Sequence, residues 1–334
     1  MKTRFFSVLE LEEAAGLLRA GELVAFPTET VYGLGANALD PVAVAKVFSA
    51  KGRPADNPLI AHISSREQLI SLCREIPIEA TKLMDRFWPG PLTLVLPKRP
   101  EVTDLVTAGL DTVAIRFPNH SLALDLIRTA GVPLAAPSAN RSGRPSSTTW
   151  QAVSEDLDGL IAGIICGNPA SLGLESTVVD VTCNPPRVLR PGGVTLEQLK
   201  VICPNIRPLE RYEAGTIQPQ TKHNSPGLKH KHYQPNATVR IVTSDTAHCN
   251  LPEVSKSGGA KSDCLVFYLG INYPAQLSRF AEIRVCSNLD EYGAALFDFF
   301  RRADLRKAQM VLCESVCEIG IGVALMDRLM RASQ

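Results

Sequence analysis

The 334-residue sequence contains no C-x-x-C pair, no Walker-type phosphate loop (G-x-x-x-x-G-K followed by Ser or Thr), no apolar run of membrane-spanning length and almost no net charge, +1 at pH 7. Each absence excludes a class of protein. Nine cysteines, an odd number scattered without metal-ligand spacing, read as reduced and mostly buried thiols rather than a disulfide framework. Cys313 and Cys317 stand four apart, but the preceding AQMVLCE reads as a strand, so no metal site is expected there. Without a Walker loop, a nucleotide site must be of another type. The balance of 35 basic against 34 acidic residues argues against a constitutive nucleic-acid coat protein, while leaving room for a local basic patch. The N-terminal MKTRFFSVLELEEAAGLL is interrupted by acids too early for a signal peptide, so the expected location is the cytoplasm, with no membrane partner. No internal repeat is evident.

What is present is ample apolar material, 45% of the residues, enough for two cores. The chain is organised around Ala25 to His62. This stretch reads as a buried strand (Glu22 to Phe26), a glycine-punctuated loop, a helix, a basic turn (Lys51, Gly52, Arg53, Pro54) and a strand running into His62. Asp40 can cap the helix, Pro41 suits its first position and Gly52 lies just past its last turn. Lys51 and Arg53 therefore sit at a helix exit, where the macrodipole favours cations. Taken alone they are either capping charges in water or part of an anion cradle with Thr28, Glu29, Thr30, Gly33 and Gly35.

Elsewhere, Ser7 and Glu10 make a capping-box pattern for a first helix with Leu11, Ala14, Ala15 and Leu18 on one side, closed by Gly21. Helices are expected over Arg66 to Cys73, Ile78 to Phe87 and Ser121 to Thr129. Strands are expected over Leu59 to Ile63, Leu92 to Leu96, Thr112 to Arg116, Ile161 to Cys166, Thr177 to Val181 and Arg187 to Arg190. Pro133 to Asn140 reads as a strand running out into a polar loop. The mixed order of strands and helices predicts an open, twisted, mixed α/β sheet over residues 1–203. Residues 204–236 are proline-rich with His223, His230 and His232 beside lysines, the composition of a linker. Residues 237–334 alternate strands and helices, the pattern of a small, Rossmann-like parallel domain, without a dinucleotide fingerprint around Gly320 and Gly322. Within it, a helix is expected from Leu289, capped by Asn288, and another over Gly322 to Met330. The Ser/Gly-containing span from His248 to Ser262 interrupts the second domain.

The words PTETVYGLG, KGRP with NPL and His62, SAN (Ser138 to Asn140), GLEST (Gly173 to Thr177), LRPG (Leu189 to Gly192) and SPGLKHKHYQP (Ser225 to Pro235) occur in this order. On these words the chain resembles the threonylcarbamoyl-AMP synthase family in its long, two-domain form, whose first domain has the YrdC-like fold. The last hundred residues carry the resemblance more weakly. The resemblance implies formation of threonylcarbamoyl-AMP and pyrophosphate from L-threonine, bicarbonate or CO2, and ATP with Mg2+, by a nucleotidyltransferase without an organic cofactor. The product would pass to a threonylcarbamoyl-transferase machinery that modifies the adenosine beside the anticodon of certain tRNAs. Direct tRNA contact is left open.

The same resemblance implies catalytic roles for Lys51 and Arg53. ATP contacts fall at Lys51, Arg53, Asn57, Thr112, Ser138, Asn140, Ser146 and Arg190, with Tyr233 closing from a linker that folds over the site. The threonine pocket maps onto Thr30, His62, Arg116, Ala136 and Ser176. Arg116 has the fork geometry to hold a carboxylate, and His62 and Glu29 are the candidate proton handlers. By themselves Ser138 and Asn140 also suit an ordinary turn, and His62 a structural histidine. A different class of function is an RNA-binding factor in translation or ribosome assembly, using Lys51, Arg53, Arg99, Arg141, Arg144 and the linker on phosphates. Carbamoyl transfer from carbamoyl phosphate, as in hydrogenase-maturation proteins, would bring zinc-finger and acylphosphatase-like modules, and neither pattern is present.

Overall fold

In the computed structural model the described residues are 2–209, 233–243, 265–274, 278 and 280–334. The span from His248 to Ser262 and the linker histidines His223, His230 and His232 lie outside them. Two units are formed, Met1–Ser142 with Ser146–His230, and Gly143–Pro145 with Lys231–Gln334. Among the described residues no helix is long and apolar enough to cross a membrane.

The first unit holds strands β1 (Arg4–Phe6), β2 (Val24–Phe26), β3 (Gly33–Asn37), β4 (Ile60–His62), β5 (Leu92–Pro97), β6 (Thr112–Arg116), β7 (Leu134–Ala135), β8 (Gly163–Ile165), β9 (Thr177–Asp180) and β10 (Arg187–Arg190). They join in the order β1-β8-β2-β3-β7-β4-β6-β5-β9-β10, mixing parallel and antiparallel pairs, so the expected mixed sheet is present. Its helices are α1 (Leu11–Arg19), α2 (Pro41–Lys51), α3 (Ile78–Phe87), α4 (Asp104–Thr107), α5 (Ser121–Ala130), α6 (Trp150–Leu157) and α7 (Leu196–Ile202).

Both faces of the sheet are covered over much of its width. In β2, Val24 and Phe26 belong to one apolar cluster with Ala14, Leu18, Leu126 and Ile127 of α1 and α5, while Ala25 belongs to another with Val44, Val47 and Leu83 of α2 and α3. The alternation is the period of two that a pleated strand imposes. The local signals for α2 act as expected: Asp40 accepts from Val42 N at 2.8 Å and Ala43 N at 3.2 Å, and Gly52 turns the chain with φ +62°.

Three readings require correction. The glycine-punctuated loop contains β3, a strand at the middle of the sheet. Its glycines obscure the strand pattern, yet they are what the pairing needs, because a Cβ on Gly35 would lie 2.9 Å from the Phe26 ring of β2. The helix expected from Arg66 is a 3-10 segment, Arg66–Ser71. The strand expected from Pro133 is only Leu134–Ala135, after which the chain leaves the ladder except for a bridge from Ser138 to Gly33. Strand β1 and helices α6 and α7 went unread, although Thr149 caps α6 and Thr195 with Gln198 forms a capping box at the start of α7. Past α7, Ile206 is buried and Arg207 bridges Arg187, so the sheet edge stays tied to the chain beyond Cys203.

The second unit contains β11 (Thr238–Val242), β12 (Val266–Gly270), β13 (Glu282–Val285), β14 (Met310–Glu314), α8 (Leu289–Leu305) and α9 (Gly322–Ala332). All the strand pairs are parallel, in the order β11-β14-β12-β13. Asn288 caps α8, its side chain accepting from Glu291 N at 2.9 Å. Cys313 is fully buried in β14, where burial pushes its thiol pKa up.

Candidate active site

Strand register gathers the residues singled out in the sequence. Ile60 pairs with Ala114, His62 with Arg116, Arg116 with Thr93, Ala114 with Val95, and Thr93 with Val178. Because side chains alternate along each strand, these residues and Thr112 share one face of the sheet. Their opposite neighbours Ala61, Val113, Ile115, Leu94 and Val179 lie in the helix-covered core. Ile60, Val95, Ala114 and Val178 pack together as a small apolar floor. Thr112 and Arg116 stand at opposite ends of β6, about 13 Å apart at strand rise.

At one end of this floor lies the cation turn. Lys51 is only 3% exposed and Arg53 only 9%. They are therefore not charges capping a helix in water. The Lys51 ammonium donates to the carbonyls of Ser138, at 2.5 Å, and Asn140, while Ser142 N donates to Lys51 O at 2.9 Å. Arg53 donates from Nη2 to Pro58 O at 2.9 Å and from Nε to Asn57 O at 3.3 Å. The basic turn, the SAN loop and the NPL turn are thus a single hydrogen-bonded construction. Ser146 Oγ donates to the buried carboxylate of Glu175 at 2.6 Å. Sequence reasoning passed over Glu175, although it lies inside the GLEST word.

At the other end, Arg116 is 4% exposed and donates from Nη1 to Thr30 Oγ1 at 2.7 Å, with Nε directed at Gly90 O, 3.4 Å away. Thr30 Oγ1 lies 2.9 Å from Thr28 Oγ1, which donates to Val31 O at 2.6 Å. Arg190 donates to Ser176 O at 3.1 Å and Ser176 Oγ at 3.2 Å, and Ser176 Oγ lies 2.7 Å from Thr93 Oγ1. Ala136 is buried and its N–H donates to Ile60 O at 2.9 Å.

His62 lies between Phe26, in an edge contact of 6.0 Å between ring centroids, and Ile60 O, 3.1 Å from its Nδ1. Complete burial, reinforced by the Arg116 charge, pushes its pKa down to about 3. The imidazole is neutral at physiological pH. His120, beside the Glu29 carboxylate, is likewise held below its ordinary value by burial.

Tyr233 is the first described residue after Leu209, and its described contacts fall within its own unit. It belongs to the second unit, where its ring stacks on Phe297 of α8 at 5.2 Å and lies 5.5 Å from the Arg328 guanidinium carbon of α9. Its backbone adopts φ +69°.

Two family models match the chain. One, described as "Telomere recombination", covers residues 16–192, and the other, described as "Threonylcarbamoyl-AMP synthase, C-terminal domain", covers residues 194–334. The chain is 45% identical to the threonylcarbamoyl-AMP synthase of Bacillus subtilis over 97% of its own length and 93% of that protein. It is 46% identical to that of Pyrococcus abyssi over 96% and 93% of the two chains. The crystal structure of P. abyssi Sua5 complexed with L-threonine superimposes with a TM-score of 0.88 at 43% identity, covering 100% of this chain and 98% of that one.

Proposed function

The chain belongs to the threonylcarbamoyl-AMP synthase family, and from that premise we propose that it converts L-threonine, bicarbonate or CO2, and ATP to threonylcarbamoyl-AMP and pyrophosphate, with water released when bicarbonate supplies the carbon. The observation that carries the reading to this chain's own residues is the Lys51 ammonium, buried and bridging the Ser138 and Asn140 carbonyls. It joins a helix-end cation turn to a polar loop in the way a site for a polyanion requires, with rigid donors already desolvated.

The reaction needs little covalent help from the protein. The threonine amine becomes a carbamate, whose oxygen attacks the α-phosphorus as pyrophosphate leaves. Lys51, Arg53 and Arg190 would stabilise phosphate charge, with Asn57, Thr112, Ser138, Asn140 and Ser146 as neutral partners. Thr30, His62, Arg116, Ala136 and Ser176 would hold threonine. His62 serves as a neutral hydrogen-bonding group, since burial keeps it unprotonated. Catalysis then rests on alignment and on charge stabilisation away from water. Magnesium belongs to the substrate, carried by the ATP phosphates, and supplies neutralisation of the departing pyrophosphate. Among the described residues no group of three or more His, Cys, Asp or Glu side chains gathers to form a metal cage. Tyr233 would close over the nucleotide and help exclude water.

The product would supply a threonylcarbamoyl-transferase acting on tRNA, in the cytoplasm, and the enzyme would be classed as a nucleotidyltransferase. The RNA-binding alternative is weakened because the relatives that match nearly the full chain are named threonylcarbamoyl-AMP synthases. ATP–pyrophosphate exchange with product mass analysis tests the proposal, comparing L-threonine, L-serine and no amino acid, with and without bicarbonate. Threonine- and bicarbonate-dependent acyl-AMP supports it. A folded protein that binds ATP without such turnover overturns it.

A further inference from the structure

Between the SAN word and Ser146 the chain passes briefly into the second unit. Gly143, Arg144 and Pro145 are grouped with Lys231–Gln334, whereas Ser142 and Ser146 on either side belong to the first unit. The carbonyls at both ends of this segment are held. Gly143 O accepts from Gln234 N at 3.0 Å. Pro145 O accepts from Nη2 of Arg301, a residue of α8 only 4% exposed, at 2.6 Å. One turn further along α8, Asp304 accepts from Asn236 N at 2.8 Å and Ala237 N at 3.3 Å. Burial raises the Asp304 carboxyl above its ordinary value, opposed by those two bonds and by the charges of Arg144 and Arg301. Helix α8 therefore fastens residues 143–145 and the start of the second unit with two side chains three positions apart.

We infer that Arg301 is a positioning residue for the nucleotide site, holding Pro145 so that the chain from Ser138 to Ser146 keeps the form that receives ATP. The inference rests on the proposed ATP contacts of Ser138, Asn140 and Ser146, and deepens that reading by giving the second unit a part in nucleotide binding. The Pro145 carbonyl shares its peptide plane with Ser146 N, so a donor on the carbonyl fixes the plane from which Ser146 projects. The bond is charge-assisted, about twice as strong as one between neutral groups. At the other end, Ser142 N donates to Lys51 O at 2.9 Å, next to the Gly143 carbonyl that Gln234 holds. A segment fixed at both ends during folding loses less conformational freedom when a ligand binds. The residues proposed for threonine stand elsewhere: Thr30, His62, Arg116 and Ser176 on other segments, and Ala136 with its N–H on Ile60 O.

The test uses the full chain and isothermal titration with Mg–ATP and, separately, with L-threonine. Arg301→Met keeps an unbranched stem and removes the donors. Its Kd for ATP is expected to rise about tenfold, the worth of one hydrogen bond to a charged group, with the Kd for threonine unchanged. Arg301→Lys, which retains a donor, should fall between Arg301→Met and the wild type. An unchanged Kd for ATP, with or without fewer binding sites per chain, means that Arg301 serves folding alone and overturns the inference; so do equal losses for both ligands. Should Arg301→Met fail to fold, Gly143→Ala decides. The added Cβ meets no heavy atom within 4 Å, but φ +89° strains the residue and the turn must shift. Weakened ATP binding with threonine binding intact supports the inference, and unweakened ATP binding overturns it. A wild-type protein whose ATP binding depends on Arg301 but which makes no acyl-AMP overturns the proposed reaction and leaves the positioning role standing. One that binds no ATP overturns both.

Discussion

Gly35 and Phe26 lie on the same face of neighbouring antiparallel strands, and the Cβ that Gly35 lacks would fall 2.9 Å from the Phe26 ring and 3.3 Å from Val24 O. The aromatic ring occupies the space that the missing side chain leaves. Gly35→Ala is expected to destabilise the first unit by about 1–3 kcal/mol through overpacking, read by urea denaturation. Phe26→Leu in the same chain should recover part of the loss, because the two sites are in contact and their effects are not additive. A neutral Gly35→Ala would show that the ring can move aside.

His62 links stability to pH. Its folded pKa, near 3, lies below the unfolded value of about 6.5, so the unfolded state binds the proton more readily. The stabilisation is complete above pH 6.5 and declines as pH falls toward 3, by up to about 1.4 kcal/mol per pH unit. Denaturation midpoints measured between pH 4 and 8 should show this slope, and His62→Gln should flatten it. An equally steep slope in the variant would assign the acid sensitivity to other groups.

Lys51→Met keeps the aliphatic stem and removes the ammonium between the Ser138 and Asn140 carbonyls. Each buried carbonyl left without its donor costs about 1–3 kcal/mol. Acyl-AMP formation is expected to drop more than 100-fold, at about 3 kcal/mol of lost transition-state stabilisation. Lys51→Arg should not restore it, since a planar fork cannot replace a compact ammonium between two converging carbonyls. Pyrophosphate exchange near the wild-type rate in Lys51→Met would remove Lys51 from the catalytic group.

Tyr233→Ala removes the stack on Phe297 and one contact of the Arg328 guanidinium, which also pairs with Asp327. A loss of about 3–5 kcal/mol in the second unit is expected for truncation of a buried aromatic, read by thermal unfolding. If Tyr233 also covers the nucleotide, the variant should release or hydrolyse more intermediate per ATP consumed. Unchanged partition between acyl-AMP and free AMP would leave the residue a packing role alone.

Several helix boundaries were legible from signals adjacent in the chain. Asp40, Pro41 and Gly52 delimit α2, and Gly131, with φ +73°, closes α5. Strand β6 likewise runs from Thr112 to Arg116 as its alternation predicts. Strand β3 escaped because Gly33 and Gly35 supply no side-chain alternation, and β1 because its partner β8 lies more than 150 residues away. Of the candidate site residues, Thr30, Lys51, Arg53, Asn57, His62, Ser138, Asn140, Ser176 and Arg190 lie in or beside the motif words, whereas Thr112, Arg116, Ala136 and Ser146 lie outside them. Glu175 stood inside the GLEST word but acquires a role only from its neighbour Ser146, and His120 carries no local signal and emerges only beside Glu29.

Thus the sequence by itself determined the caps, the turns, the mixed α/β character and the identity of the polar words, all properties of residues within a few positions of one another. The tertiary structure decided which words meet. Lys51 joins Ser138 across 87 positions and Arg116 joins Thr30 across 86. Only strand register places His62, Thr93 and Arg116 on one face. The physical reason is that burial and pairing of charge depend on partners brought together by the sheet, whereas capping and backbone dihedrals depend on the adjoining residues alone.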